Sequence, residues 1–246
     1  MRRAAIADVP AEFSPPEEKK RTTKTFAFEL ITPMFGGGAE SWKLDSERPV
    51  RAQGIKGQLR FWWRTMQTIT DPGELLRKEN ALFGGKTDDK TRIKSPIRLA
   101  VLEQQFENSD TVNVIEDDGA SIPRYVGFPI FNSQEYTAEM NLIKALSFTL
   151  QISFPPEQEN DVFQTLKLWC LFGGIGARTR RGCGSLYCGE LMEEFTDKQR
   201  LYDFVFTKIN ERQKSSFLLT PFFKRCNLYF LLIKLNLKTT LTILNY

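Results

Sequence analysis

Thirteen consecutive residues, Phe172 to Gly184, carry five glycines and three arginines and no acid. The glycines are Gly173, Gly174, Gly176, Gly182 and Gly184, and the arginines are Arg178, Arg180 and Arg181. Glycine opens φ > 0 and lets a second backbone approach closely. Arginine presents a planar fork of donors that matches a phosphate. A segment built from the two suits a polyanion held against main chain. Lys56, Arg60 and Arg64 form a second group. Their four-residue spacing makes a row ~12 Å long if the segment is helical. Arg48 and Arg51 precede that row, and no acid lies between Gly54 and Met66. The expected chemistry is binding of a ribose-phosphate strand. Its candidate contacts are Arg51, Lys56, Arg60, Arg64, Arg178, Arg180 and Arg181.

Each group has a plainer reading. The cation row could be a solvated helix face. Gly54 and Gly57 could expose amides to an anion at a helix start, or only permit close packing on a sheet. Gly173-Gly174 could cap a helix, and Gly182 could mark a bulge. These alternatives account for the glycines but not for three arginines in four positions.

Other chemistry is less well supplied. The chain has no histidine, which removes the commonest general base and the commonest metal ligand. The glycines follow a predicted helix rather than precede one, and no Gly-Lys-Ser order is present, so a P-loop is excluded. Gly174-Ile175-Gly176 lacks the third glycine of a dinucleotide fingerprint, since Thr179 stands there. Arg124-Tyr125-Val126-Gly127-Phe128 lacks the order of an RNP1 stacking motif. The pairs Asp88-Asp89 and Asp117-Asp118 are adjacent in predicted loops, where neighbours point apart. Cys170, Cys183, Cys188 and Cys226 form no C-x-x-C pair. Free thiols in a reducing compartment are expected, with no metal site, cofactor or catalytic residue.

The elements that must position these groups can be read from periodicity. Thr25 to Thr32 alternates, with Phe26, Phe28 and Leu30 on one face, and predicts a strand. Ile55, Leu59, Trp62, Trp63 and Met66 form one stripe and predict a helix over 55–69. A second helix is predicted over Pro72 to Phe83, ended by Gly84-Gly85. Strands are predicted over Pro96 to Glu103, Arg124 to Phe131, Ser147 to Phe154 and Ser185 to Leu191, and helices over Glu157 to Phe172 and 192–216. That order is the split βαβ, or ferredoxin-like, unit: an α+β fold with an antiparallel sheet and helices on one face.

Composition sets the limits. The 246 residues are 41% hydrophobic and include 20 phenylalanines, enough for an aromatic-rich core. The net charge of +4 equals the four cations of the last thirty residues, Lys224, Arg225, Lys234 and Lys238, which have no acids among them. Only local clustering, not bulk charge, therefore favours a nucleic acid. Residues 1–24 read as a flexible arm, 25–192 as the ferredoxin-like domain, 193–216 as a helical extension and 217–246 as an atypical tail. No apolar signal or ~20-residue membrane run is evident, so a soluble, cytoplasmic protein without a membrane partner is expected.

The Gly173–Gly184 stretch resembles the glycine-rich signature of the RAMP superfamily of CRISPR-associated proteins. Gly54-Ile55-Lys56-Gly57-Gln58-Leu59-Arg60-Phe61-Trp62-Trp63-Arg64 and Thr32-Pro33-Met34-Phe35-Gly36-Gly37-Gly38 resemble motifs of one branch of it. That branch supplies the first-numbered subunit of type III-B Cmr effector complexes, and the resemblance spans roughly residues 25–192. It implies a non-catalytic RNA-binding component of an antiviral ribonucleoprotein, partnered by guide or target RNA and other Cmr subunits. Cleavage would then belong to other subunits. Two alternatives stay open: a RAMP-type endoribonuclease and a purely structural assembly subunit. Members of the branch usually carry a second ferredoxin-like domain, which this chain is too short to hold. A shortened member would be expected to assemble less well.

Overall fold

The computed structural model describes residues 20–35, 45, 47–86, 92–106, 111–113, 141–195 and 197–213. Its centre is a four-stranded sheet made of β1 (Thr22–Leu30), β5 (Arg98–Gln105), β8 (Ser147–Phe154) and β9 (Leu186–Tyr187), in the order β5-β8-β1-β9. All three pairings are antiparallel. The pleat sends alternate side chains to opposite faces. Phe26 and Phe28 of β1 therefore face the core with Phe148, Leu150, Ile152 and Phe154 of β8, all buried. Thr23, Thr25 and Ala27 turn to the other face and are exposed.

Helix α1 (Ala52–Met66) and α2 (Pro72–Phe83) lie between the first and second strands of this sheet in sequence. Helix α3 (Glu159–Phe172) lies between the third and fourth. With the second and third strands adjacent and the first and fourth adjacent, this is the ferredoxin-like arrangement. Ile55, Leu59, Trp62 and Trp63 of α1 join Val162, Leu166 and Trp169 of α3 in one core over the sheet. Phe28 lies at its middle, 5.2 Å from both the Phe148 and Trp169 rings. Short elements complete the described residues. β2 (Met34–Phe35), β6 (Thr111–Asn113) and β7 (Asn141–Ile143) form a small sheet, and β3 (Gly85–Lys86) pairs with β4 (Arg92–Ile93). α4 (Gly189–Met192) and α5 (Lys198–Gln213) follow β9.

The start of α1 is anchored from the sheet. Between Val101 and Gln104 the β5–β8 register slips by a bulge, which turns the Gln104 side chain to the core side. Its amide accepts from Val50 N–H and donates to Val50 C=O, both at 2.9 Å. One side chain thus copies a strand pairing just ahead of the helix.

Several boundaries differ from the sequence reading. β1 begins at Thr22, inside the segment expected to be a flexible arm, because Thr22 to Lys24 continue the ladder against Phe154 to Ile152. α1 spans 52–66 rather than 55–69: Arg51 and Gln67 are both extended, so the glycines lie inside its first turns. The strand expected over 185–191 is two residues long, and the chain turns into α4 at Gly189. The expected strand at 124–131, both aspartate pairs, the arm up to residue 19 and the tail from 217 lie outside the described residues.

Candidate nucleic-acid interface

The glycine-rich loop leaves α3 when Gly173 N–H donates to Trp169 C=O at 2.8 Å. Its path is set by backbone crowding. A Cβ on Gly174 would stand 2.5 Å from the Gly184 carbonyl, and one on Gly184 would stand 1.9 Å from that of Ile175. The two stretches run so close that Ile175 N–H donates to Gly184 C=O at 2.9 Å. A Cβ on Gly176 would stand 2.2 Å from the Phe35 carbonyl.

Thr32 to Phe35 clamps the loop from outside. The Thr32 hydroxyl donates to Gly182 C=O and accepts from Ser185 N–H. Pro33 C=O accepts from Gly184 N–H at 2.9 Å, and Phe35 C=O from Ala177 N–H at 3.0 Å. Two of the three sequence motifs are thus one hydrogen-bonded unit. The loop is held at both ends and in the middle, and it is not the free turn that its glycines suggest.

Within this frame Thr179–Arg181 form a single 3-10 turn, flanked by Arg178 and Gly182 in the left-handed region at φ 61° and φ 86°. The Arg178 carbonyl accepts from Arg181 N–H and Cys183 N–H. Arg180 and Arg181 are exposed, and Arg178 is half-buried. Burial pushes the Cys183 thiol up to about 11, while the nearby charges of Arg178 and Arg181 pull it down. The thiol therefore stays protonated beside them at neutral pH. Cys170 and Cys188 are likewise buried and in no disulfide among the described residues.

The row on α1 is built differently from the sequence expectation of unpaired cations. Glu79, on α2, is 1% exposed and receives both Arg60 and Arg64. Arg60 Nε donates to Oε1 at 2.5 Å, and Arg64 Nε donates to Oε2. Arg60 Nη2 also reaches Asn80 Oδ1 at 3.4 Å. Burial alone would raise the Glu79 carboxyl, but hydrogen bonds from Arg64 and Arg60 outweigh it and hold the carboxyl below its ordinary range. Arg51 is paired too, at 2.6 Å from Asp45 on the surface. Lys56 makes no ion pair among the described residues; burial and the charge of Arg60 lower its pKa.

The sequence did hold a signal for Glu79. It shares a helical stripe with Leu75, Leu82 and Phe83, where a charge needs a buried partner. Gly54 and Gly57 show no close packing, since nothing lies within 4 Å of an added Cβ at either. The first turn of α1 has no acid and no side-chain cap. The helix meets the loop at Trp62, whose Nε1 would lie 2.6 Å from a Cβ on Gly173. Trp62 is about 200° around the helix from Arg60. The cation row and the Gly173 end of the loop therefore adjoin different faces of α1. Among the described residues no cluster of three metal-ligating side chains occurs, and no helix is long and apolar enough to cross a membrane.

The profile of the RAMP superfamily matches residues 27–187. The chain belongs to the RAMP superfamily. As a RAMP protein it shares its fold with Cmr1 from Pyrococcus furiosus in the apo form, at 21% identity and a TM-score of 0.54. The match covers 78% of this chain and 60% of that one. Two cryo-EM structures of the type III-B Cmr-beta complex bound to cognate target RNA contain chains with weaker likeness. One matches at 16% identity and a TM-score of 0.47, covering 76% of this chain and 62% of that one. The other matches at 15% and 0.49, covering 78% and 62%. The RAMP chain thus spans about three-fifths of the length of each chain it matches. No curated protein matches it in sequence.

Proposed function

We propose that the chain is a non-catalytic RNA-binding subunit of a type III-B CRISPR (Cmr) effector complex, working in the cytoplasm in antiviral defence. Guide or target RNA and other Cmr subunits are its partners, and it needs no cofactor. Family membership, the Cmr1-like fold and the three motifs support this reading. The observation that carries it is the turn at 178–181. Three arginines, Arg180 and Arg181 exposed and Arg178 half-buried, lie on one short stretch whose backbone is fixed by glycine packing and by the Thr32–Phe35 clamp. Cations held on a rigid frame lose little entropy when they meet phosphates.

The test is the triple variant Arg178→Ala, Arg180→Ala, Arg181→Ala in the assembled complex. RNA affinity falls, and the slope of log K against log salt flattens by up to about 2, at ~0.7 per phosphate contact on single strands. An unchanged slope rejects the reading. Incubating the protein with labelled RNA, with and without Mg²⁺, checks the non-catalytic part, and cleavage products would overturn it. Because Arg51, Arg60 and Arg64 already hold carboxylates, a structural assembly role has support at the helix. That role predicts co-purification with other subunits and no RNA crosslink at the loop.

A further inference from the structure

We infer that Glu79 is a positioning residue for RNA: it fixes the guanidinium groups of Arg60 and Arg64 so that they present their outer donors together to a phosphate. The inference rests on the reading that the α1 row contacts RNA. The geometry behind it is specific. One carboxylate bridges two arginines one helical turn apart, and each arginine uses Nε. The usual arginine–carboxylate contact spends the paired fork. Among the described residues the one hydrogen bond from an Nη atom of either arginine is that of Arg60 Nη2 with Asn80.

Exposure is graded in the same sense. Glu79 is 1% exposed, whereas the Arg60 and Arg64 side chains are 31% and 50% exposed. Asn80, also buried, is itself fixed by donating to Lys86 C=O at 3.0 Å. A phosphate that displaced the arginines would leave a buried carboxylate uncompensated, which is costly. The phosphate must therefore join the pair from outside, and Glu79 sets where. Two arginines and one glutamate keep a net positive charge, and Lys56 adds to it.

Charge and positioning predict opposite signs. In Glu79→Gln an anion is lost. Electrostatics alone would then tighten binding of a labelled single-stranded RNA of mixed sequence, and steepen the salt slope by about 0.7 if one more phosphate is engaged. Positioning predicts the reverse: affinity falls roughly tenfold, the cost of one lost charge-assisted contact, with no steeper slope. Arg60→Lys with Arg64→Lys is the companion variant. It keeps both charges but cannot bind Glu79 through Nε with a fork outward, and its affinity falls similarly. A thermal melt of each full-length variant confirms that it is folded. If Glu79→Gln does not fold, the lysine pair decides the matter, and unchanged affinity there overturns the inference.

Arg60→Ala with Arg64→Ala separates the two levels. Weaker binding in that variant together with tighter binding in Glu79→Gln defeats positioning and leaves the RNA reading standing. No effect of Arg60→Ala with Arg64→Ala defeats positioning and any RNA contact by the α1 row, while the loop reading keeps its own test at Arg178, Arg180 and Arg181.

Discussion

Arg178 sits at φ 61° and ψ 22°, the one non-glycine left-handed residue among the described residues. That conformation costs a residue with a Cβ roughly 1–2 kcal/mol. A glycine would remove the strain, yet an arginine stands between Ala177 and Thr179. Arg178→Gly is therefore expected to raise the melting temperature or leave it unchanged while RNA affinity drops. A calorimetric scan paired with a binding titration checks both signs, and a loss of stability would refute the strain argument. Gly184 is the converse, since any side chain there meets Ile175 C=O at a backbone of φ +67°. Gly184→Ala should cost more than ~2 kcal/mol in urea unfolding. Gly54→Ala, with open space around it, should gain about 0.5–1 kcal/mol from helix propensity. At this scale the sequence showed where glycine and arginine concentrate. It could not show that the loop glycines answer to Phe35 and Ile175, because those approaches depend on chain crossings that no local pattern encodes.

Between elements, the sequence was most readable where a single period ran unbroken. β8 and α2 have the boundaries expected from their patterns, over Ser147–Phe154 and Pro72–Phe83. Asp71 marks the start of α2 by accepting from Glu74 N–H, and Gly84, at φ 74°, marks its end. α1 was misplaced by three residues because Gly54 and Gly57 look like loop, and only the Val50–Gln104 anchor fixes where the helix begins. The joint between α1 and α2 has a pH signature. The Glu79 carboxyl is held below its ordinary value in the fold despite burial. Its contribution is thus complete above the unfolded value of ~4.3 and disappears as pH falls through that value toward the lower folded one. Urea unfolding at pH 6 and at pH 4 should show a larger loss for the native chain than for Glu79→Gln. Equal losses would mean that the two arginines do not stabilise the ionised form.

For the molecule as a whole, the order of strands and helices was sufficient to identify the ferredoxin-like unit, since few topologies accept that order without crossing connections. What it did not reveal is how unequal the two sides of β1 are. On one side β1 pairs with β8 along eight residues, from Thr22 to Glu29. On the other, among the described residues, β9 meets it only at Glu29 and Leu30. Antiparallel strands point successive amides to opposite sides. Deuterium uptake along Thr22 to Phe26 should therefore alternate residue by residue, slow where the N–H faces β8 and fast where it faces away, while Ala27 N–H, which donates to the Glu190 carboxylate, stays slow. Docking of another chain along that margin would erase the alternation, so isotope exchange on this one strand can report its occupancy.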